Sequence, residues 1–375
     1  MGEYARSLAI AQGAEGRWPG VSIQFILSRH APYAAKAPFP TTLLDSSPTF
    51  HSAAVIEVMN TWRPDVVFFD NAGRTAQLRA AQRLGARVVF ISARRRQRNK
   101  AFRLRWMRLI DEHWIAYPEF IAGELRPVER LKLKFMRRPE VRYLDVILAR
   151  GRGLESPRIS LVARLGCAVD AYVLVVPGGG TGHPGANDAV ERFLHAAREL
   201  AAAGVETLFV GPSGLASGDD VEPPAAGAPA TGSPAAGSPG AGSPPTGSPA
   251  AGSPNNGSRL RMLGFLPQTE LAELMRGARL IIANGGSTLL QSIACGRPCI
   301  AVPIAGDQAE RIRRCVSAGV AVAAPLDSAL ILKTATDLLQ NAANLSGLAG
   351  RAMALGLTDG VDRALRATAK LIDLE

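Results

Sequence analysis

The sequence is poor in cysteine, in aromatic residues and in histidine, and it has no long uncharged apolar run. Its four cysteines (Cys167, Cys295, Cys299, Cys315) in 375 residues sit among small or apolar neighbours, without the spacing of metal ligands. They read as reduced core thiols of a cytoplasmic protein rather than a disulfide framework. Phe, Trp and Tyr make up 6% of the chain, too few for the stacking platforms of a single-strand nucleic-acid binder. No 18-residue stretch is free of charge or turn formers, which argues against a membrane-spanning helix. Met1 leads directly into Gly2-Glu3-Tyr4-Ala5-Arg6, which is not the basic–apolar–small pattern of a signal peptide. There is no Asp-x-Asp pair between apolar strands, and Asp219-Asp220 borders a low-complexity repeat, so no metal and no cofactor are expected.

What is present is a globular composition, 47% hydrophobic and 20% charged, with enough length for two domains that each bury a core. The net charge of +11 is unevenly placed. Residues 1–160 carry 27 Lys+Arg against 14 Asp+Glu, whereas residues 161–375 carry 16 against 18. A basic first half facing a near-neutral second half implies an anionic partner for the first: a membrane surface, a phosphorylated acceptor or nucleic acid.

Short β-branched runs alternate with amphipathic stretches in both halves. In the first half Val21–Leu27, Asp65–Phe69, Arg87–Ser92 and Glu112–Tyr117 read as strands, and helices are expected over Arg6–Gly13, His51–Trp62, Arg74–Leu84 and Arg98–Asp111. In the second half strands are expected at Tyr172–Val176, Glu206–Val210, Leu260–Leu263, Leu280–Ala283, Cys299–Val302 and Val320–Ala323. Helices fall at Asn187–Ala203, Thr269–Arg276, Thr288–Cys295, Gln308–Ser317 and Ser328–Asn341. Continuously apolar strands alternating with helices predict an α/β fold: two Rossmann-like, doubly wound parallel-sheet domains facing a cleft, over 1–160 and 161–375. Between them in character is the stretch 219–258, where Pro229, Pro234, Pro239, Pro244, Pro249 and Pro254 recur every five residues in a Gly/Ser/Ala background. Such a repeat cannot repay its ordering entropy and reads as a disordered insertion in the second domain. The amino terminus starts at a turn and helix where such domains open with a strand. The expectation is that a first strand is encoded upstream of Met1.

The most informative stretch is Ala283–Ile312. An apolar strand ends at Asn284-Gly285-Gly286, and Ser287-Thr288 open a helix. Free backbone N–H groups, two hydroxyls and a helix dipole then meet at one point, which suits an anion. After the next strand, Gly306-Asp307-Gln308 brings a carboxylate and an amide to the same cleft, a donor–acceptor set fitted to vicinal sugar hydroxyls. Pro177-Gly178-Gly179-Gly180-Thr181-Gly182 follows the first strand of the same domain as a second glycine loop.

This segment resembles the donor-binding end of the two-domain nucleotide-sugar glycosyltransferases of the GT-B fold, and within them family 28, which includes the N-acetylglucosaminyltransferase of peptidoglycan synthesis. The resemblance covers most of residues 171–325 apart from the repeat, while the first half is similar mainly in layout. It implies that Gly285, Gly286, Ser287 and Thr288, with Gly179, Gly180 and Thr181, hold the donor diphosphate. It implies a nucleoside site at Phe265, Leu266 and Gln291, the last standing where such enzymes often have a glutamate on the ribose. It places Asp307 and Gln308 on the donor sugar.

The first half is expected to supply the acceptor site and a base. Glu3, in the first turn where the relatives usually have a histidine or acid, is one candidate, and Asp70 at the end of the Val66–Phe69 run is the other. His183, after the second glycine loop, is a lesser one. Arg94, Arg95, Arg96, Arg98, Lys100, Arg103, Arg105 and Arg108 interleave with Phe102, Leu104, Trp106, Met107, Leu109 and Ile110. On one helix this makes an apolar ridge flanked by cations, either a core-packed helix or a segment lying on anionic lipid. Arg94, Arg95, Arg96, Arg98 and Trp106 are therefore the expected membrane- or acceptor-facing set; nucleic acid is disfavoured because no binding motif accompanies the charge.

Together these readings predict a cytoplasmic, metal-independent glycosyltransferase, peripheral on the inner face of the plasma membrane, moving a hexose-type sugar from a UDP donor to a lipid-linked or polysaccharide acceptor of the cell envelope. Two alternatives stay open. The opening GEYARSLAIAQ resembles the sugar-nucleotide hydrolases of pseudaminic acid synthesis, although Glu3 stands where those have a histidine. A non-catalytic sugar-nucleotide-binding protein is the other.

Overall fold

A computed structural model describes residues 2–31, 33–34, 37–147, 161–178, 188–212 and 259–373. The Gly/Ser/Pro/Ala repeat, Gly179, Gly180, Thr181 and His183 lie outside these described residues.

The chain opens with helix α1 (Gly2–Arg17), followed by strands β1 (Phe25–Ser28) and β2 (Thr41–Leu44), which pair with each other in parallel. Then α2 (Ser52–Trp62), β3 (Val66–Asp70), α3 (Thr75–Arg83) and β4 (Arg87–Ser92) begin a βα alternation. It continues through α4 (Arg95–Ala101), α5 (Leu104–Met107), β5 (Glu112–Ile115), α6 (Glu119–Ala122), α7 (Pro127–Met136) and β6 (Glu140–Tyr143). Strands β3 to β6 form a four-stranded parallel sheet in sequence order. Among the described residues, β1 and β3 are each unpaired on their other edge, yet Ile26 and Val67 pack against the same apolar cluster.

The second unit holds α8 (Leu161–Arg164), β7 (Val173–Val176), α9 (Ala189–Ala202), β8 (Thr207–Val210), β9 (Leu260–Leu263) and α10 (Gln268–Gly277). These are followed by β10 (Leu280–Asn284), α11 (Ser287–Ala294), β11 (Cys299–Val302), α12 (Gln308–Ser317) and β12 (Val322–Ala323). The six strands form one parallel sheet in the order β12-β11-β10-β7-β8-β9. Every residue of β7, β8, β10 and β11 is buried, because helices cover both faces. Strands enclosed this way must be apolar throughout, which is why these segments read as continuous Val/Ile/Leu runs rather than alternations.

Helices α13 (Ser328–Leu339), α14 (Ala342–Ala354) and α15 (Gly360–Leu371) end the chain. The last does not stay with the second sheet. Ala364 and Ala367 of α15 pack with Ile10 of α1 and with Val89, Ile91 and Trp114 of the first sheet. The segment 161–375 expected as the second domain thus gives its final helix to the first. Gly360 makes this return possible: a Cβ there would lie 2.2 Å from the Leu144 carbonyl oxygen.

The helix expected over Arg98–Asp111 is two short helices, α4 and α5, broken at Phe102–Arg103. Its apolar ridge, Leu104 apart, faces inward. Trp106 is 3% exposed, packs edge-on against Phe90 and donates its indole N–H to Thr75 Oγ1 at 3.2 Å. Phe102, Met107 and Ile110 are equally buried. Arg98 is buried too, with Nη2 2.9 Å from Glu129 Oε2 and further bonds to the carbonyls of Ala122, Gly123 and Glu124. Trp106 and Arg98 are therefore removed from the membrane-facing set. A buried charge needs its counter-charge and hydrogen bonds, and Arg98 spends its Nη donors fastening α7 and the loop before it to α4. Arg94, Arg95 and Arg96 are exposed.

Candidate active site

The order of the six-stranded sheet reverses between β10 and β7. In a parallel sheet, loops on the two sides of such a reversal diverge and leave a crevice at the strands' carboxyl ends. Pro177-Gly178, after β7, and Gly285-Gly286, after β10, meet there. Asn284, the last residue of β10, joins them: its Nδ2 donates to the Pro177 carbonyl at 2.7 Å, and its Oδ1 accepts from the Gly286 N–H at 2.8 Å. Glycine is required at both ends of this bridge. Gly178 has φ +103°, and a Cβ on it would lie 1.9 Å from Asn284 Nδ2; a Cβ on Gly286 would lie 2.6 Å from Asn284 Oδ1.

The turn is held from below as well. The Gly285 N–H points to Gln308 Oε1 and to the Val302 carbonyl, each at 3.1 Å, and Gln308 Oε1 also accepts from Ile304 N–H at 3.0 Å. Two sequence expectations change here. The Gly285 and Gly286 amides are satisfied by protein and are not free for a phosphate. Gln308, 6% exposed, spends its side-chain oxygen on tying the Gly285 turn to the segment after β11, so it is a scaffold for the crevice rather than an open sugar ligand.

The anion-binding capacity moves one residue along. Ser287 and Thr288 are the first residues of α11, and among the described residues neither amide has a protein acceptor. First-turn N–H groups point out along the helix axis with the positive end of its dipole. Ser287 is exposed and Thr288 nearly buried. Asp307 stands at the N-cap of α12, its side chain 72% exposed and its Oδ2 3.6 Å from Arg311 Nη2. At the far side of the sheet, Phe265 follows β9 with 59% of its surface exposed, free to lie against a flat ring, while Leu266 packs into the core. The Gln291 amide nitrogen donates to the Ile147 carbonyl at 3.1 Å and to Gln268 Oε1 at 3.3 Å, so its donor is engaged by protein.

Arg311 was not foreseen. Its side chain is 11% exposed, its Nη1 donates to the Gly285 carbonyl, and its guanidinium lies over the Tyr117 ring, 5.1 Å from the centroid. Its Nε has no partner. A cation is thus held directly against the glycine turn and reaches a residue of the first unit. Arg314, on the same helix, donates to the Ile121 carbonyl at 2.8 Å. The only sequence signal is an arginine one turn into the helix after Asp307, and two more arginines beside it mask its position.

In the first unit the two candidate bases part company. Asp70 is bound bidentately by Arg6, Nε–Oδ2 3.0 Å and Nη2–Oδ1 2.5 Å, and accepts from Ser7 Oγ at 3.1 Å. Both side chains are about nine-tenths buried. Burial pushes the Asp70 carboxyl above the ordinary aspartate range, while Arg6 and Ser7 pull it back. With both oxygens occupied it fastens α1 to the end of β3, and it is not placed as a free base. Glu3 is exposed, and its Oε1 accepts from Asn71 Nδ2 at 2.9 Å. Asn71 adopts a left-handed φ of 53°, and its Oδ1 accepts from Ala93 N–H at 2.7 Å. Glu3 is therefore aimed from the carboxyl edge of the first sheet by one hydrogen bond, and among the described residues its other oxygen has no partner.

No family model matches the chain, and no curated protein matches it in sequence. Solved structures do match. MurG of Acinetobacter baumannii is similar over 98% of this chain and 96% of its own, at 15% identity and a TM-score of 0.56. UGT2 of Phytolacca americana, solved with UDP-2-fluoro-glucose and pterostilbene, is similar over 100% and 97%, at 13% identity and a TM-score of 0.62. A UDP-N-acetylglucosamine 2-epimerase is similar over 99% and 94%, at 13% identity and a TM-score of 0.54. The chain has the two-domain GT-B fold.

Proposed function

We propose that the chain is a glycosyltransferase that moves a hexose-type sugar from a nucleotide diphosphate, UDP, to a hydroxyl of a cell-envelope or lipid-linked acceptor in the cytoplasm. The observation that carries this reading is the crevice between β7 and β10, where Asn284 and Gln308 fix the Gly285-Gly286 turn and, among the described residues, leave the Ser287 and Thr288 amides open. Structural neighbours solved with UDP ligands support the same choice of nucleotide. The first unit, residues 1–160 with the returning α15, takes the acceptor. The second, from 161, takes the donor.

In this reading the diphosphate lies at the N-terminus of α11, contacted by the Ser287 and Thr288 amides and hydroxyls, with Arg311 behind the turn. Phe265 carries the base, and Asp307 faces the sugar hydroxyls. Glu3 accepts the proton of the acceptor hydroxyl as that oxygen bonds to the anomeric carbon. The bond from that carbon to the diphosphate breaks, and its electron pair leaves on the phosphate oxygen. Pre-aimed amides stabilise this charge without reorganising, the usual means by which such sites lower a barrier.

The test is nucleotide release from a panel of UDP-sugars, with and without candidate polyprenyl-linked or glycan acceptors. Release that depends on acceptor supports transfer. Release at full rate without acceptor marks a hydrolase, and interconversion of the sugar at carbon 2 marks an epimerase; either result contradicts the proposal. Tight donor binding without any turnover contradicts it as well, in favour of a binding protein.

A further inference from the structure

With the apolar ridge of residues 102–110 in the core except at Leu104, the excess positive charge of the first unit is left without a role, and a different helix carries most of the exposed apolar surface. Along α7, Val128, Leu131 and Phe135 are 53%, 53% and 78% exposed. They stand at i, i+3 and i+7, one face of a helix. The opposite side of α7 faces inward: Glu129 is buried against Arg98, and Lys132 donates to the Phe102 carbonyl at 3.0 Å. Leu104, at the start of α5 against which α7 packs, is 51% exposed. Single exposed apolar residues are ordinary, but four on adjoining elements of one face are not.

The charge around this face is of one sign and largely unneutralised. Lys134 on α7 and Arg137 at its C-cap, with Arg103 and Arg105 beside Leu104, have no acidic partner among the described residues. The acids nearby are engaged elsewhere: Glu129 by Arg98 and Arg126, Glu124 by Arg130. A protein partner would have to supply matched carboxylates at fixed positions. An anionic bilayer satisfies every cation at once and takes the apolar stripe at its headgroup boundary.

We propose that the face formed by α7 and the start of α5 docks the protein on an anionic membrane surface. Phe135 and Leu131 enter the headgroup layer, and Lys134, Arg137, Arg103 and Arg105 pair with lipid phosphates. This face lies on the first unit, to which the acceptor is assigned above, but the docking does not depend on the donor reading, and its test reads no turnover.

The full chain is sedimented with phosphatidylcholine vesicles and with vesicles in which about a third of the lipid is phosphatidylglycerol. Binding is expected only to the anionic vesicles and to weaken as salt rises. L131D/F135D and K134E/R137E are each expected to bind about tenfold or more weakly while keeping the wild-type melting temperature, since all four side chains are exposed. Equal binding by the variants, or no preference for anionic lipid, would overturn the assignment. So would a wild-type dimer that L131D/F135D converts to monomer, because the face would then belong to a second copy of the chain. Loss of vesicle binding to a competing single-stranded RNA, with no response to L131D/F135D, would overturn it in favour of a purely electrostatic surface.

Discussion

Replacing Asp70 by Asn separates a structural carboxylate from a catalytic one. Asp70 and Arg6 are 10% and 8% exposed at their side chains and joined by two short bonds. Asparagine keeps the shape but leaves the Arg6 guanidinium buried without a counter-charge. Breaking a buried pair from one side costs about 3–5 kcal/mol; the amide oxygen retains one bond, so about 3 kcal/mol is the expected loss. For the first unit, of about 160 residues, that lowers the melting temperature by roughly 6–12 °C. The double replacement Arg6→Met with Asp70→Leu removes both charges and should recover most of it, so that it costs well less than the sum of the two single replacements in a double-mutant cycle. Glu3→Gln, at an exposed position, should melt as the wild type and lose turnover. The assay is thermal denaturation followed by circular dichroism, alongside nucleotide release. An Asp70→Asn protein that melts normally but does not turn over would refute this reasoning and return the role of base to Asp70.

Three further outcomes follow from the same geometry. Gly286→Asp places a Cβ within 2.6 Å of Asn284 Oδ1 and a charge beside the α11 amides; it should abolish any rise in melting temperature on adding a UDP-sugar, and an undiminished rise would place the donor elsewhere. Burial, reinforced by Arg98, drives the His113 imidazole down to about 3 from 6.5, so the unfolded chain gains a proton first as pH falls. Stability from this group is complete above about pH 6.5 and is lost between there and about pH 3; urea unfolding at pH 7 and 4.5 should differ by about 2–3 kcal/mol on its account, a difference absent from His113→Gln. Burial lifts the Cys299 and Cys315 thiols to about 12, so neither should be alkylated by iodoacetamide at pH 8 until the protein unfolds. Labelling of Cys299 in the native protein would contradict its place in the core.

The second unit was largely readable from sequence because its strands are enclosed. Leu260–Leu263, Cys299–Val302 and the helix Gln308–Ser317 have the bounds that their apolar content and flanking turn formers indicate. Thr41–Leu44 and Glu140–Tyr143 escaped notice because they are short, half-exposed strands whose side chains mix polar and apolar types. The break between α4 and α5 was hidden because two short helices in succession keep nearly the periodicity of one. Arg103 turns extended, at ψ 131°, and no glycine or proline marks the place.

At the site, the turn Asn284–Thr288 was legible because glycines after a buried strand and hydroxyls at a helix start have few other uses together. The division of labour inside it was not. Whether Gln308 faces a ligand or reaches back to Gly285 depends on the β10–β11 register, which sets Asn284 opposite Val302. Spacing along one chain does not contain that register. Arg311 needed the neighbouring unit as well, since its value as a buried cation comes from Tyr117.

The central claim is that the crevice between β7 and β10 binds a nucleotide diphosphate through the first turn of α11. Calorimetric titration of the full chain with UDP, beside a Ser287→Pro variant that lacks the first of those amides but retains a backbone suited to a helix start, tests it most directly. The account predicts saturable binding by the wild type and at least a tenfold loss in the variant at unchanged fold. Absence of heat from UDP and from every UDP-sugar, or equal binding by the variant, would contradict it.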